Sequence, residues 1–292
     1  MKSNDEIREF LVTRRARITP EQAGLPAYGT HRRVKGLRRE EAAMLAGVSV
    51  DYYIRLERGN LSGASESVLD SLARALRLDD AERAHLFDLA RAANASPGSP
   101  RRRAGTNRVR PGVQRVLDAM NGAPAWVRNG RADVLATNQL GAALYAPVLD
   151  DPMRPANTAR FTFLSSRAQE FYLDWDRTAR DMVAVLRAAA GRDPYDKPLS
   201  DLVGELSTRS ELFRTLWGAH DVQHHRTGRK GLHHPVVGDL DLTYEAFELP
   251  SEPGLTMIVY TAEPDTPTAQ ALAFLASWAA TQHVEAVKPV RD

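Results

Sequence analysis

The amino-acid sequence predicts an α+β protein in two domains: five helices first, then a mixed sheet of five strands with helices packed on one side. Three observations predict it. Residues 4–93 repeat apolar positions at helical spacing, interrupted by short turn signals. Residues 94–110, "NASPGSPRRRAGTNRVR", drop that period for Pro, Gly, Ser and Arg, the composition of a linker. Residues 111–292 mix alternating, strand-like runs with helical ones. The expected boundaries are therefore 1–93, 94–110 and 111–292, and 292 residues are enough for two domains of ordinary size.

Taken in order, "NDEIREFLVTRRAR" (4–17) reads as a helix with Ser3 or Asn4 as cap, acids in its first turn and arginines in its last. Ile7, Phe10 and Leu11 form its apolar stripe. Pro20, Gly24, Pro26, Gly29 and Gly36 make 19–36 a loop, and that loop carries His31, Arg32, Arg33 and Lys35. Further helices are expected over about 37–46, 50–58, 66–77 and 80–93, with Asp79 or Asp80 capping the last. After the linker, 113–122 is a short helix. Residues 125–138 alternate as two strands meeting at Asn129-Gly130, a pair that favours a type I′ hairpin. Helices follow at about 138–145, 166–190 and 199–218, then three strands within 230–263 and a last helix over about 268–281. There is no internal repeat.

Composition narrows the function classes. Hydrophobic content of 43% and charged content of 26% are those of a soluble globular protein. No apolar run reaches membrane-spanning length, and "MKSNDEIREF" lacks the apolar core of a secretion signal, so a cytoplasmic protein is expected. With no cysteine, disulfide and thiolate chemistry are excluded. The net charge of +2 hides an asymmetry: residues 1–115 carry +8 and residues 116–292 carry −6. A basic N-terminal half favours a polyanion partner there. Only five of the 39 basic residues are lysine; arginine suits phosphate and guanine edges, but a GC-rich coding bias also enriches it.

The segment "LRREEAAMLAGVSVDYYIRLERG" carries the most specific signal. Ala43 lies four residues before Gly47, where a small side chain lets another helix cross closely. Gly47 stops one helix, and Ser49 is placed to cap the next. Val48, Tyr53 and Leu56 would point inward, leaving Ser49, Val50, Asp51, Tyr52 and Arg55 on an outer, polar face that suits a major groove. A plain helical hairpin would explain a helix-Gly-helix alone, but not the registered inner residues together with flanking helices. We therefore expect Val50, Asp51, Tyr52 and Arg55 to read bases, while Arg32, Arg33, Arg38 and Arg39 hold phosphates or enter a minor groove. One such helix reads too few base pairs for a genomic address, so a homodimer on a double-stranded DNA operator is expected, joined through residues after 111.

These residues resemble the helix-turn-helix domain of the phage-repressor-like, xenobiotic-response-element type, and the resemblance extends over residues 4–93. "HRRVKGLRREEAAMLAGVSVDYYIRLERGN" followed by "VLDSLARALRLDDAERAHLFDLA" is similar to one bacterial branch of that family, whose C-terminal half is a MmyB-like ligand-binding domain. "DVLATN", "FYLDWDRTARDMVAVLRAAAGRDP" and "HPVVGDLDLTYEAFELP" match that half too. The resemblance implies a PAS-like sheet with a cavity for small apolar molecules such as fatty acids. Thr137, before Asn138, stands where the family usually has tryptophan, and Ser165-Ser166 where it often has Asp-Pro. The first departure bears on the pocket and the second on a helix start. Alternation leaves open which face of residues 133–137 meets the helices.

Residues that could line the cavity are Trp126, Thr137, Asn138, Phe161, Phe163, Phe171, Trp175, Trp217, Tyr244 and Phe247; large aromatics more often fill a core. His220, His224, His225, His233 and His234 cluster in sequence but lack metal-site spacing, so they read as surface or loop histidines and no cofactor is expected. No GxGxxG, P-loop, HExxH or GxSxG is present. The sequence thus points to a DNA-binding transcriptional regulator rather than to an enzyme with a helical accessory domain or a protein-interaction module.

Overall fold

The computed structural model of the protein describes residues 3–25, 34–94, 108–219 and 227–287. The chain divides into two compact units. The first holds residues 1–101 with 187–201 and 215–224, the second residues 102–186, 202–214 and 225–292.

Five helices open the first unit: α1 (Ser3–Arg17), α2 (Arg39–Ala46), α3 (Val50–Glu57), α4 (Glu66–Ala75) and α5 (Asp80–Asn94). Their apolar stripes meet in one core that includes Ile7, Phe10, Leu11, Leu37, Ala43, Tyr53, Leu56 and Leu72. Local signals set the ends. Asp79 caps α5, its carboxylate accepting from Glu82 N–H (2.8 Å), and Glu82 returns the bond to Asp79 N–H (3.2 Å). Glu82 also pairs with Arg14 at 2.7 Å. Gly59, just past α3, has φ +94, and a Cβ there would overlap the Asn4 carbonyl, so only glycine lets the start of α1 lie this close.

In the second unit, α6 (Pro111–Ala119) precedes β1 (Ala125–Arg128) and β2 (Val134–Thr137). Then come α7 (Gln139–Leu144), α8 (Ala146–Leu149), α9 (Thr158–Leu164), α10 (Ala168–Phe171) and α11 (Trp175–Arg192), the last crossing into the residues of the first unit. After α12 (Lys197–Arg209) and α13 (Glu211–Gly218), the strands β3 (Thr227–His234), β4 (Gly238–Glu248) and β5 (Thr256–Thr261) complete the sheet, and α14 (Pro267–Val287) ends the chain's described part. The strand order is β2-β1-β5-β4-β3. All four pairings are antiparallel rather than mixed, because β3, β4 and β5 follow one another as hairpins and β5 closes against β1.

Three expectations need correction. Helices cover both faces of the sheet: Leu117 of α6 packs with Ala125, Val127, Leu255 and Met257, while α7 and α14 pack on the opposite face with Trp126, Ile258 and Tyr260. The first hairpin is not type I′ at Asn129-Gly130. Ala132 takes the left-handed conformation (φ 66). The Asn129 side chain builds a wider turn, accepting from Arg131 N–H (2.9 Å) and Asp133 N–H (3.0 Å) and donating to Asp133 (2.8 Å). The helix expected at 166–190 is interrupted at Tyr172, which bridges to Leu232. Helix α9 went unanticipated; its signal is Asn157, whose side chain accepts from Arg160 N–H (2.9 Å) as an N-cap.

Candidate functional site

The turn before α3 forms as its residues dictate. Gly47 is left-handed (φ 66, ψ 32), its N–H bonding Met44 O while Val48 N–H bonds Ala43 O. Ser49 Oγ then accepts from Tyr52 N–H at 3.2 Å and starts α3. Tyr53 and Leu56 are fully buried. Val50, Asp51 and Arg55 are exposed, and Tyr52 is half-buried beneath the Arg55 guanidinium, 4.6 Å from its ring centroid. The stacking holds Arg55 on the outer face. Met44, on α2, is also exposed and escaped the sequence reading.

A buried carboxylate fixes the far end of α3. Glu57 accepts from Arg15 Nη2 (2.8 Å) and from Arg39 Nε (3.0 Å), so one side chain ties α3 to α1 and to the start of α2. Half of the Arg39 side chain stays exposed, and hydrogen bonding to Glu57 raises its pKa, keeping it charged. Arg38 is exposed beside it, its N–H bonded to Glu41 (2.6 Å). Arg32 and Arg33 lie outside the described residues. The arrangement offers a groove-sized helix with one stacked arginine, flanked by two exposed arginines.

The second unit contains a small, partly open cleft. Sheet register builds one wall: Trp126 pairs with Ile258 and Tyr244 with Tyr260, so these point to one face. Trp126 and Tyr145 rings lie 5.1 Å apart, and Tyr145 and Tyr260 hydroxyls hydrogen-bond at 2.5 Å. Burial pushes the Tyr260 hydroxyl up to about 12 and that of Tyr145 well above its usual value, so both stay protonated. The other wall is polar. Lys230 Nζ donates to Thr178 Oγ1 (2.9 Å) and sits 5.0 Å from the Tyr172 ring centroid. Burial lowers the Lys230 pKa to about 8, partly offset by the Asp181 carboxylate. Burial raises the pKa of Asp181, which Lys230 partly opposes.

Residues 109–275 match the family described as the MmyB-like transcription regulator ligand binding domain, more than half of the chain. The chain belongs to this family. Residues 13–86 match a helix-turn-helix domain, spanning α2 and α3 and the turn between them. No curated protein matches the chain. Together the two matches make it a helix-turn-helix transcription regulator with a MmyB-like ligand-binding domain.

Within that ligand-binding domain the sequence-chosen residues scatter. Trp126 lines the cleft. Phe161, Phe171 and Tyr244 are buried in the same apolar cluster without lining it. Thr137 pairs with Trp126 and so shares its face, half-buried at the sheet edge. Asn138 holds backbone together: it accepts from Ala125 N–H (2.9 Å) and Gly141 N–H (2.7 Å) and donates to Met120 O and Ala123 O (2.7 Å each). Phe163 packs edge-on against Phe213 (5.0 Å), and Trp175 Nε1 donates to Thr162 O (2.9 Å). Trp217 falls in the first unit, stacked under the buried Arg187 guanidinium (4.2 Å). Phe247 is exposed. His234, expected at the surface, is buried with both ring nitrogens bonded, to Ala143 O (3.0 Å) and Val236 N–H (3.2 Å), because strand pairing turns it inward. His220, His224 and His225 lie outside the described residues. Among the described residues no group of side chains is arranged to hold a metal ion, and no helix is long and apolar enough to cross a membrane.

The sequence reading missed Arg128, Thr178, Asp181 and Lys230. A lysine inside an otherwise arginine-rich chain, alternating with Leu232 on a strand, was the available signal.

Proposed function

We propose that this regulator is cytoplasmic, binds its operator as a homodimer of the xenobiotic-response-element type through α3, and responds to a small molecule held in the C-terminal cleft. Residues 1–93 would serve as the DNA-binding domain and 111–292 as the sensor. Val50, Asp51, Tyr52 and Arg55 read base edges; Arg38 and Arg39, with Arg32 and Arg33 of the preceding loop, hold the phosphate backbone. The observation that carries this reading is the division of α3, with Tyr53 and Leu56 in the core and an outer face bearing Arg55 stacked on Tyr52. On the family resemblance, a PAS-like sensor binding a small apolar molecule such as a fatty acid is the ligand reading, supported by the aromatic wall of the cleft. The test is fluorescence anisotropy against an operator selected from random duplexes. Arg55→Ala should narrow the gap between specific and random DNA, and affinity should fall steeply with salt. Equal operator affinity in Arg55→Ala and the parent would remove the assignment of α3.

A further inference from the structure

Helix α14 has one face in the core and a second face that the fold leaves uncovered. Thr268, Leu272, Leu275 and Ala279 recur at helical spacing and are buried, the last three in the cluster that holds Trp126 and Tyr260. The opposite side carries Gln270, Ala273, Phe274, Ser277, Ala280 and Thr281, all exposed, with Phe274 at 59%.

A solvated helix face is ordinarily charged. This one is not. Residues 266–284 contain no Asp, Glu, Lys or Arg, although 26% of the chain is charged. Among the described residues every other helix of eight or more residues carries charged side chains. Helix α7, also uncharged, extends the neutral surface beside α14, where Gln139 Nε2 donates to Ala279 O (3.0 Å).

The hydroxyls of the face turn back into the helix. Ser277 Oγ donates to Ala273 O and Thr281 Oγ1 to Ser277 O, each at 3.1 Å. Covering them strands no hydroxyl donor, so the gain from burying Phe274 and the alanines is not cancelled there.

The missing charge also selects the occupant. Nucleic acid and anionic lipid are drawn by Lys and Arg, and α14 has neither. A partner of another sequence is commonly selected by complementary charge, which this face does not offer. A second copy of the same helix has the opposite requirement. Beside a two-fold axis each residue meets its own copy, so any charge there would face its like. A neutral face is therefore complementary to itself. Ala273, Ser277 and Ala280 let two backbones approach, with Phe274 as the projecting side chain.

We propose that α14 is the dimerisation surface of this regulator, two copies packing their Phe274 faces about a two-fold axis. This rests on the reading of the protein as a homodimer and names the surface that joins it.

The experiment measures the mass of the full chain by light scattering at micromolar concentration, with circular dichroism as the check on folding. The parent should have the mass of two chains. Phe274→Glu should have that of one, its self-association weakened about tenfold or more, while Phe274→Leu remains dimeric. The chain has no cysteine, so Gln270→Cys, Ser277→Cys and Thr281→Cys, made singly, each carry one thiol. At least one should give a disulfide-linked dimer on mild oxidation, because identical residues come within bonding reach only beside the axis. Thr208→Cys, exposed on α12, should not. A dimeric parent whose folded Phe274→Glu variant is still dimeric overturns the proposal and leaves the homodimer reading intact. Should Phe274→Glu fail to fold, the absence of a crosslink from all three thiols overturns it instead. A monomeric parent, with and without the selected operator, overturns the homodimer reading together with the surface. Sedimentation of the parent with phosphatidylcholine vesicles, lost in Phe274→Glu, assigns the face to lipid and overturns the proposal too.

Discussion

Truncating Glu57 should unfasten α3, the proposed recognition helix. The carboxylate is 2% exposed and accepts from two guanidinium groups. Glu57→Ala leaves Arg15, only 14% exposed, without its ionic partner, although its bond to Leu37 O (2.7 Å) survives. Breaking a buried pair from one side costs about 3–5 kcal/mol, because the remaining charge is stranded. The Arg39 half, 52% exposed, adds at most about 1 kcal/mol, screened by solvent. The sum, roughly 3–6 kcal/mol, is a large share of the 5–15 kcal/mol that an ordinary domain has. The assay is urea unfolding followed by circular dichroism, run as a cycle with Arg15→Ala and the double variant. Glu57→Ala should lower the midpoint of the first transition strongly, and the cycle should return a coupling energy of about 1–3 kcal/mol. Arg15→Met with Glu57→Leu, which removes both charges, should recover most of the loss. A cost below about 1 kcal/mol for Glu57→Ala, or zero coupling to Arg15, would refute the clamp.

Other outcomes follow from single contacts. Arg55→Ala should cost roughly 1–3 kcal/mol of operator affinity and relax base preference, read by competition between operator and random duplex. Arg39→Ala should weaken all DNA sequences alike and reduce the salt slope of binding by about one, while costing less than about 1 kcal/mol of stability. Asn138→Ala removes four hydrogen bonds to backbone and should destabilise the second unit by more than about 3 kcal/mol, measured by thermal unfolding; Thr137→Ala, its neighbour, serves as control. Burial lowers Lys230 from 10.5 to about 8, so between these pH values the unfolded chain binds the extra proton and stability rises with pH. Urea midpoints taken across that window should rise in the parent relative to Lys230→Met.

Much of the DNA-binding half was legible from the chain because its signals are local. Gly47 in its left-handed turn, Ser49 as cap, and Tyr53 and Leu56 three residues apart all act within one or two helical turns, where spacing alone decides which way a side chain points. The strand count in the second half was legible for the same reason. What the sequence left open lies between segments. Asn129-Gly130 reads as a two-residue turn until the Asp133 carboxylate and backbone reach back to the Asn129 amide and widen it. Glu57 is one acid among many until α1 and α2 bring Arg15 and Arg39 to it. The cleft is the extreme case. Arg128, Asp181 and Lys230 lie about fifty residues apart in sequence and belong to β1, α11 and β3. Only the sheet register decides that Trp126, Ile258 and Tyr260 turn towards them, since a slip of one residue would send each side chain to the opposite face.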